Sequence, residues 1–205
     1  MLLFIVNGIT QQNEVLPLRK FEDYFEPFKD NYPVMVLTPR TEQKIYYFVR
    51  DITKAKSKEK LHQIDNDRER KRWTTGVSGE LAVENFLKVR FFDWRIGESH
   101  KFNSPDLRKI GLNIGIKTVE YGKFPVVHKN SKRPEIIVVK EDNRFFICGL
   151  ATVEVLNTYT DDDLILNPKL RARNVKTGFY GFEHLIPFSS IEELKQILYI
   201  QTNSM

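Results

Sequence analysis

Apolar positions fall in short clusters separated by turn residues over the first quarter of the chain. Three of these clusters, at residues 2–9, 34–37 and 45–49, are rich in β-branched and aromatic side chains, which predicts strands. Pro17, Pro27, Pro33 and Pro39 interrupt the stretches between them, and 18–28 has room for a short helix. From 53 to 72 charge replaces pattern. This stretch is helical by propensity but has little apolar face, as expected of a connector or an extended arm. At Ser78 the character changes again. Ser78-Gly79 offers a cap, and Leu81, Ala82, Val83, Phe86 and Leu87 follow at near-helical spacing. Beyond them, 93–96, 106–110, 112–120, 135–140 and 144–149 read as strands, with turns at Gly111 and at Glu141-Asp142-Asn143. Residues 161–176 are polar and loop-like, and 183–187 reads as a last short strand. Ser189 and Ser190 cap a terminal helix that carries Glu192 and Glu193 in its first turn.

A helix, a run of strands and a closing helix predict an α/β (α+β) fold: a central mixed sheet flanked by helices. Three regions follow: a β-rich lobe over 1–52, a charged helical connector over 53–75 and a core domain over 76–205. The 205 residues, 41% of them hydrophobic, can fill one sizeable core. The apolar opening is too short to span a membrane and has no basic leader before it, so a buried strand is expected and no membrane partner. The single cysteine, Cys148, lies in an apolar run. It cannot form an internal disulfide or a zinc site alone, so a packing role and a cytoplasmic location are expected.

The chemistry concentrates in Ser104-Pro105-Asp106-Leu107 and, nine residues after the Asp, in Gly115-Ile116-Lys117-Thr118-Val119. Strand alternation over 112–120 sends Leu112, Ile114, Ile116 and Thr118 one way, and Asn113, Gly115, Lys117 and Val119 the other. A lysine on a sheet-facing position needs an anionic partner, because an ammonium is costly to desolvate alone. A metal-bound phosphate or a carboxylate such as Asp106 would serve. Net charge is +5 with a pI near 9.2, which permits a polyanionic partner. Lys123, Lys129, Lys132 and Arg133 follow the motif, and Arg70 and Arg72 stand in the charged stretch; these are the candidate nucleic-acid contacts. The four histidines are scattered and none is spaced for zinc. No phosphate-binding loop or dinucleotide fingerprint occurs, so no small-molecule cofactor is expected.

Gly79-Glu80 on a helix, Pro105-Asp106 ahead of the next elements, and Gly111-Leu112-Asn113-Ile114-Gly115-Ile116-Lys117-Thr118-Val119 together resemble the PD-(D/E)XK nuclease superfamily over roughly residues 76–155. That superfamily includes restriction endonucleases and Holliday junction resolvases. The resemblance implies a restriction-endonuclease-like core and Mg²⁺-dependent DNA cleavage, with Mn²⁺ able to substitute, of a phage, mobile-element or restriction type. It also implies a homodimer. Asp106 would be the principal metal ligand, Lys117 the motif lysine, and Glu80 the helix acid that completes the site. Gly115 stands where the superfamily carries a second acid. Glu80 is the first candidate to compensate, with Asn113 or Glu120 as further ligands, although Glu120 alternates away from Lys117. Glu84, four residues after Glu80, either joins the site or faces solvent. The alternative implied by Gly115 is a catalytically degenerate module that binds DNA or a protein partner as a regulator or inhibitor.

Overall fold

A computed structural model describes residues 19–56, 66–96 and 104–203. Its centre is a four-stranded mixed sheet in the order β1 (Val34–Val36), β5 (Arg144–Ala151), β4 (Glu135–Glu141), β2 (Gly115–Glu120). The β1–β5 and β5–β4 pairs are antiparallel, and β4–β2 is parallel. Central strands covered on both faces read as continuous apolar runs, and Ile136-Ile137-Val138-Val139 and Phe145-Phe146-Ile147-Cys148 are such runs, all buried.

Alternation along β4 divides the interior into two layers. Ile136 and Val138 pack toward α2 (Pro39–Lys56), α3 (Asn66–Leu87) and α6 (Ile191–Asn203), through Ile45, Val49, Leu81 and Leu194. Ile137 and Val139 pack the other way, onto α1 (Phe21–Phe25) and α4 (Val153–Thr158), and onto Val127 of β3 (Val126–His128) and Phe179 of β7 (Lys176–Phe179). β3 and β7 pair antiparallel in a second, three-stranded sheet completed by β6 (Thr160–Asp161). A short α5 (Pro168–Ala172) connects β6 to β7. The fold is thus α+β, with a mixed sheet between helices on one face and a small sheet with helices on the other.

Several expectations change. Residues 45–49 lie inside α2. Ile45, Val49 and Ile52 recur at four- and three-residue steps and are buried while Tyr46 and Tyr47 are exposed, so the period is helical despite the β-branched and aromatic composition. The described part of 1–52 does not stand apart as a β-rich lobe, since β1 pairs with β5 and Phe21, Phe25, Leu37 and Ile45 lie in the two cores. Residues 93–96 form no strand, and 183–187 is a 3-10 turn (Phe182–His184) followed by a single bridge from Ile186 to Leu150. The polar span 161–176 holds a 3-10 turn (Asp162–Leu164) and α5. The strand expected at 2–9 and the middle of the charged stretch lie outside the described residues.

Two local expectations hold. The capping of α6 is direct: Ser190 Oγ accepts from Glu193 N–H (3.2 Å), and Glu193 accepts from Ser189 N–H (2.6 Å). Cys148 is buried, and burial pushes its thiol well above the ordinary range, in keeping with a packing role. Among the described residues no helix is long and apolar enough to cross a membrane.

Candidate active site

Asp106 does not open a strand. It opens a 3-10 turn, Asp106–Ile110, that ends at Gly111 with φ +80°, where a side chain would be strained. The turn is closed by Gly111 N–H to Arg108 O (3.0 Å) and by Leu107 N–H to Ile114 O (3.2 Å). It folds Asp106 back against the outer edge of β2. Among the described residues no strand pairs with that edge, and Asp106 Oδ2 accepts the Ile116 N–H at 2.5 Å. The bond holds one oxygen on the backbone and fixes the direction of the other.

Glu80 reaches the same place from α3. The helix approaches β2 so closely that a Cβ on Gly79 would fall 1.7 Å from Thr118 Oγ1. Glycine there is what lets the next residue, Glu80, reach Asp106. Both carboxyls are pushed above their ordinary values. Glu80 rises chiefly through burial and then through the negative charges of Asp106 and Glu84. Asp106 also rises chiefly through burial, opposed by its bond from Ile116 and by the cations Arg133 and Lys117. Both acids line a cavity of about 820 Å³, with Trp73 and Phe92 on its apolar side and Arg108 and Lys109 among its polar lining.

Lys117 stands on the opposite face of β2 from Glu80. Ile116 packs into the helical layer, whereas Val119, two residues beyond Lys117, packs into the other layer. Asp106, at the strand edge, is within electrostatic reach of both Glu80 and Lys117. Beside Lys117 lie further charged residues, of which Lys176 and Glu135 were not singled out in the sequence. Lys176 at the start of β7, paired in register with His128, has its ammonium pushed down mainly by burial and then by Lys117 and Arg72. His128 is lowered by burial and by Lys176 and Lys117. Arg133 flanks Gly115, where an added Cβ would sit 3.2 Å from its Nε. Glu135 lies directly across from Gly115 in the parallel pair and is 7% exposed. Lys176 was hidden in a polar span, and Glu135 at the head of an apolar strand, where an acid reads as the strand's solvated end.

The remaining candidates separate into different roles. Glu120 is already engaged, accepting from Thr75 Oγ1 (2.7 Å) and pairing with Lys140 (3.5 Å) on the helical face, so it is no ligand beside Lys117. Asn113 is exposed ahead of β2. Glu84 neither joins the site nor faces solvent: its Oε2 accepts the N–H groups of Phe91 (2.8 Å) and Phe92 (2.7 Å), which pins the chain leaving α3. Lys129 is tied to Asp162 (2.6 Å) and Asn174 (2.5 Å), so its ammonium serves the second sheet rather than a phosphate. Lys123, Lys132 and Arg70 are exposed. Arg72 pairs with Glu69 at 3.4 Å and lies within electrostatic reach of Lys176.

The donors suit a hard divalent cation, being carboxylate oxygens with no thiol or imidazole set. The mutual repulsion of Glu80 and Asp106 is what such a cation would relieve. Among the described residues no three His, Cys, Asp or Glu side chains converge tightly enough to hold an ion unaided. A Mg²⁺ ion would therefore rest on one or two carboxylates, with water and substrate phosphate completing its shell, as this ion commonly does. No family model matches the chain, and no curated protein or solved structure matches it.

Proposed function

We propose that this protein is a divalent-cation-dependent nuclease that hydrolyses phosphodiester bonds in DNA. The observation that carries the reading is the place of Asp106: a carboxylate held at a strand edge, within electrostatic reach of the acid Glu80 and of the cations Lys117 and Arg133, with Lys176 next to Lys117. Acids that favour a cation beside cations that favour a phosphate are what phosphodiester hydrolysis requires. A bound Mg²⁺ would neutralise the phosphate and make its bound water more acidic.

In this reading the chain's own residues divide the work. Asp106, one oxygen fixed by Ile116 N–H, would offer its other oxygen to the cation. Glu80 lends negative charge from the cavity side. Lys117 donates hydrogen bonds to a non-bridging phosphate oxygen or to the attacking water, and Lys176 adds a second, partly buried ammonium to the same phosphate. DNA is the proposed substrate because the net charge is +5 and the motif residues resemble a DNA-cleaving superfamily.

Supercoiled plasmid incubated with Mg²⁺ or Mn²⁺ tests this, beside Asp106→Asn and Lys117→Ala. Metal-dependent nicking or linearisation that both variants lose is the expected result. Cleavage that survives in either variant overturns it. A second reading, a degenerate module that retains DNA or a protein partner without cutting, is favoured by Gly115 and by the lack of a three-ligand cluster among the described residues. Retarded DNA with no cleavage under any metal would select it.

A further inference from the structure

The acid missing from β2 has a counterpart one strand away. β2 and β4 run parallel with Gly115 opposite Glu135, a register anchored by Gly115 N–H donating to Pro134 O at 3.0 Å. Paired residues on neighbouring strands point to the same face, about 4.8 Å apart. Glu135 therefore emerges beside the position a side chain at 115 would take. The space is shared: a Cβ built on Gly115 would lie 3.4 Å from Glu135 Cγ. Glycine at 115 is what leaves room for the glutamate.

The carboxylate itself has an unmet need. Glu135 is 7% exposed, and its Oε2 is buried with no hydrogen-bond partner. Buried polar atoms are nearly always satisfied, and a partnerless carboxylate oxygen is costly. Glu135 also adds negative charge at Asp106, as a carboxylate facing the same centre would.

Resting on the nuclease reading above, we propose that Glu135 replaces the acid absent at Gly115, giving its orphaned Oε2 to the divalent cation that Asp106 binds. The metal-binding acid has moved from β2 to the adjoining strand, and Gly115 is the matching loss rather than a sign of a dead site. The bland account, in which Glu135 serves only as a counter-charge to the neighbouring Arg133, predicts a role in folding and none in metal binding.

Thermal melting of the full chain across a Mn²⁺ titration separates the two accounts, run on the wild type, Asp106→Asn, Glu135→Gln and the exchange variant Gly115→Glu/Glu135→Gly. The wild type should gain melting temperature with Mn²⁺, because an ion that binds only the folded state stabilises it. Glu135→Gln should lose that gain, and the exchange variant should recover part of it. If Glu135→Gln does not fold, Glu135→Asp carries the test, since withdrawing the oxygens by one methylene should weaken the Mn²⁺ midpoint by about tenfold. A wild-type response in Glu135→Gln or Glu135→Asp overturns the assignment. If Asp106→Asn loses the response while the Glu135 variants keep it, the nuclease reading stands and only the role of Glu135 falls. No response in the wild type overturns both.

Discussion

β4 and β2 lie side by side, parallel and in register, yet differ in almost every physical respect. β4 is flanked by strands and covered on both faces, and its Ile136, Ile137, Val138 and Val139 are fully buried. β2 pairs with a strand on one side only among the described residues, and its residues from Ile116 to Glu120 are only half-buried. The pair Ile137 and Lys117 sits at one register position. One strand supplies stability and the other carries the candidate site, and the difference lies in cover rather than conformation. The outer edge leaves an N–H for Asp106 to claim, and the adjoining half-covered face tolerates an ammonium because water can reach it.

Matching substitutions at that register position should break the comparison most sharply. Ile137→Ala should cost about 3 kcal/mol through the cavity it leaves, with cleavage per folded molecule unchanged. Lys117→Ala should stay within about 0.5 kcal/mol of wild-type stability and lose about 100-fold or more in cleavage. Urea unfolding and plasmid nicking read the two effects, and equal stability losses would erase the contrast.

Glu80 and Glu84 sharpen it one turn apart on α3. Glu84→Gln keeps a weaker acceptor for the two N–H groups and should cost about 1 kcal/mol. Glu80→Gln should instead stabilise the metal-free protein at neutral pH. Both Glu80 and Asp106 hold protons more tightly in the folded chain than in the unfolded one. Their contribution is therefore fully present below the ordinary carboxylate pKa and is lost as pH rises through the raised values. Melting curves from acid to neutral pH should fall less steeply for Glu80→Gln, and a steeper fall would contradict the burial argument.

The smallest effect is expected at Lys176. Lys176→Met removes a partly buried ammonium from beside Lys117, so the melting temperature should hold or rise slightly. DNA retention should weaken, and the slope of log K against log salt should shrink by about 1. An unchanged slope would take Lys176 out of the phosphate contacts.

Much of the fold was legible in local pattern. The buried runs 135–140 and 144–149 and the α6 caps appear, because burial on two faces and capping are written in neighbouring residues. The helical period after Ser78 is also real, but Ser78 caps nothing: α3 begins at Asn66 and carries Ser78 and Gly79 in its interior, because the charged turns before them continue the same helix. The segment 45–49 misled because aromatic and β-branched composition outweighed a four-residue period that only three positions carry. For the candidate site, Asp106, Lys117 and Glu80 were visible as residue types at suggestive spacing. Glu135 and Lys176 were not, since each acquires its neighbours from a strand distant in sequence.

By itself the sequence determined the class of fold, the two strands at the sheet's centre and the acid-then-lysine order of the motif, all of which follow from short-range periodicity and propensity. Tertiary structure alone decided that Asp106 caps the outer edge of β2, that Glu80 and Lys117 lie on opposite faces of one strand, that Glu84 and Glu120 are committed elsewhere, and that Glu135 fills the space beside Gly115. Those outcomes depend on strand order, register and the turns between elements, which set Gly115 against Glu135, 20 residues on, and which no local pattern encodes.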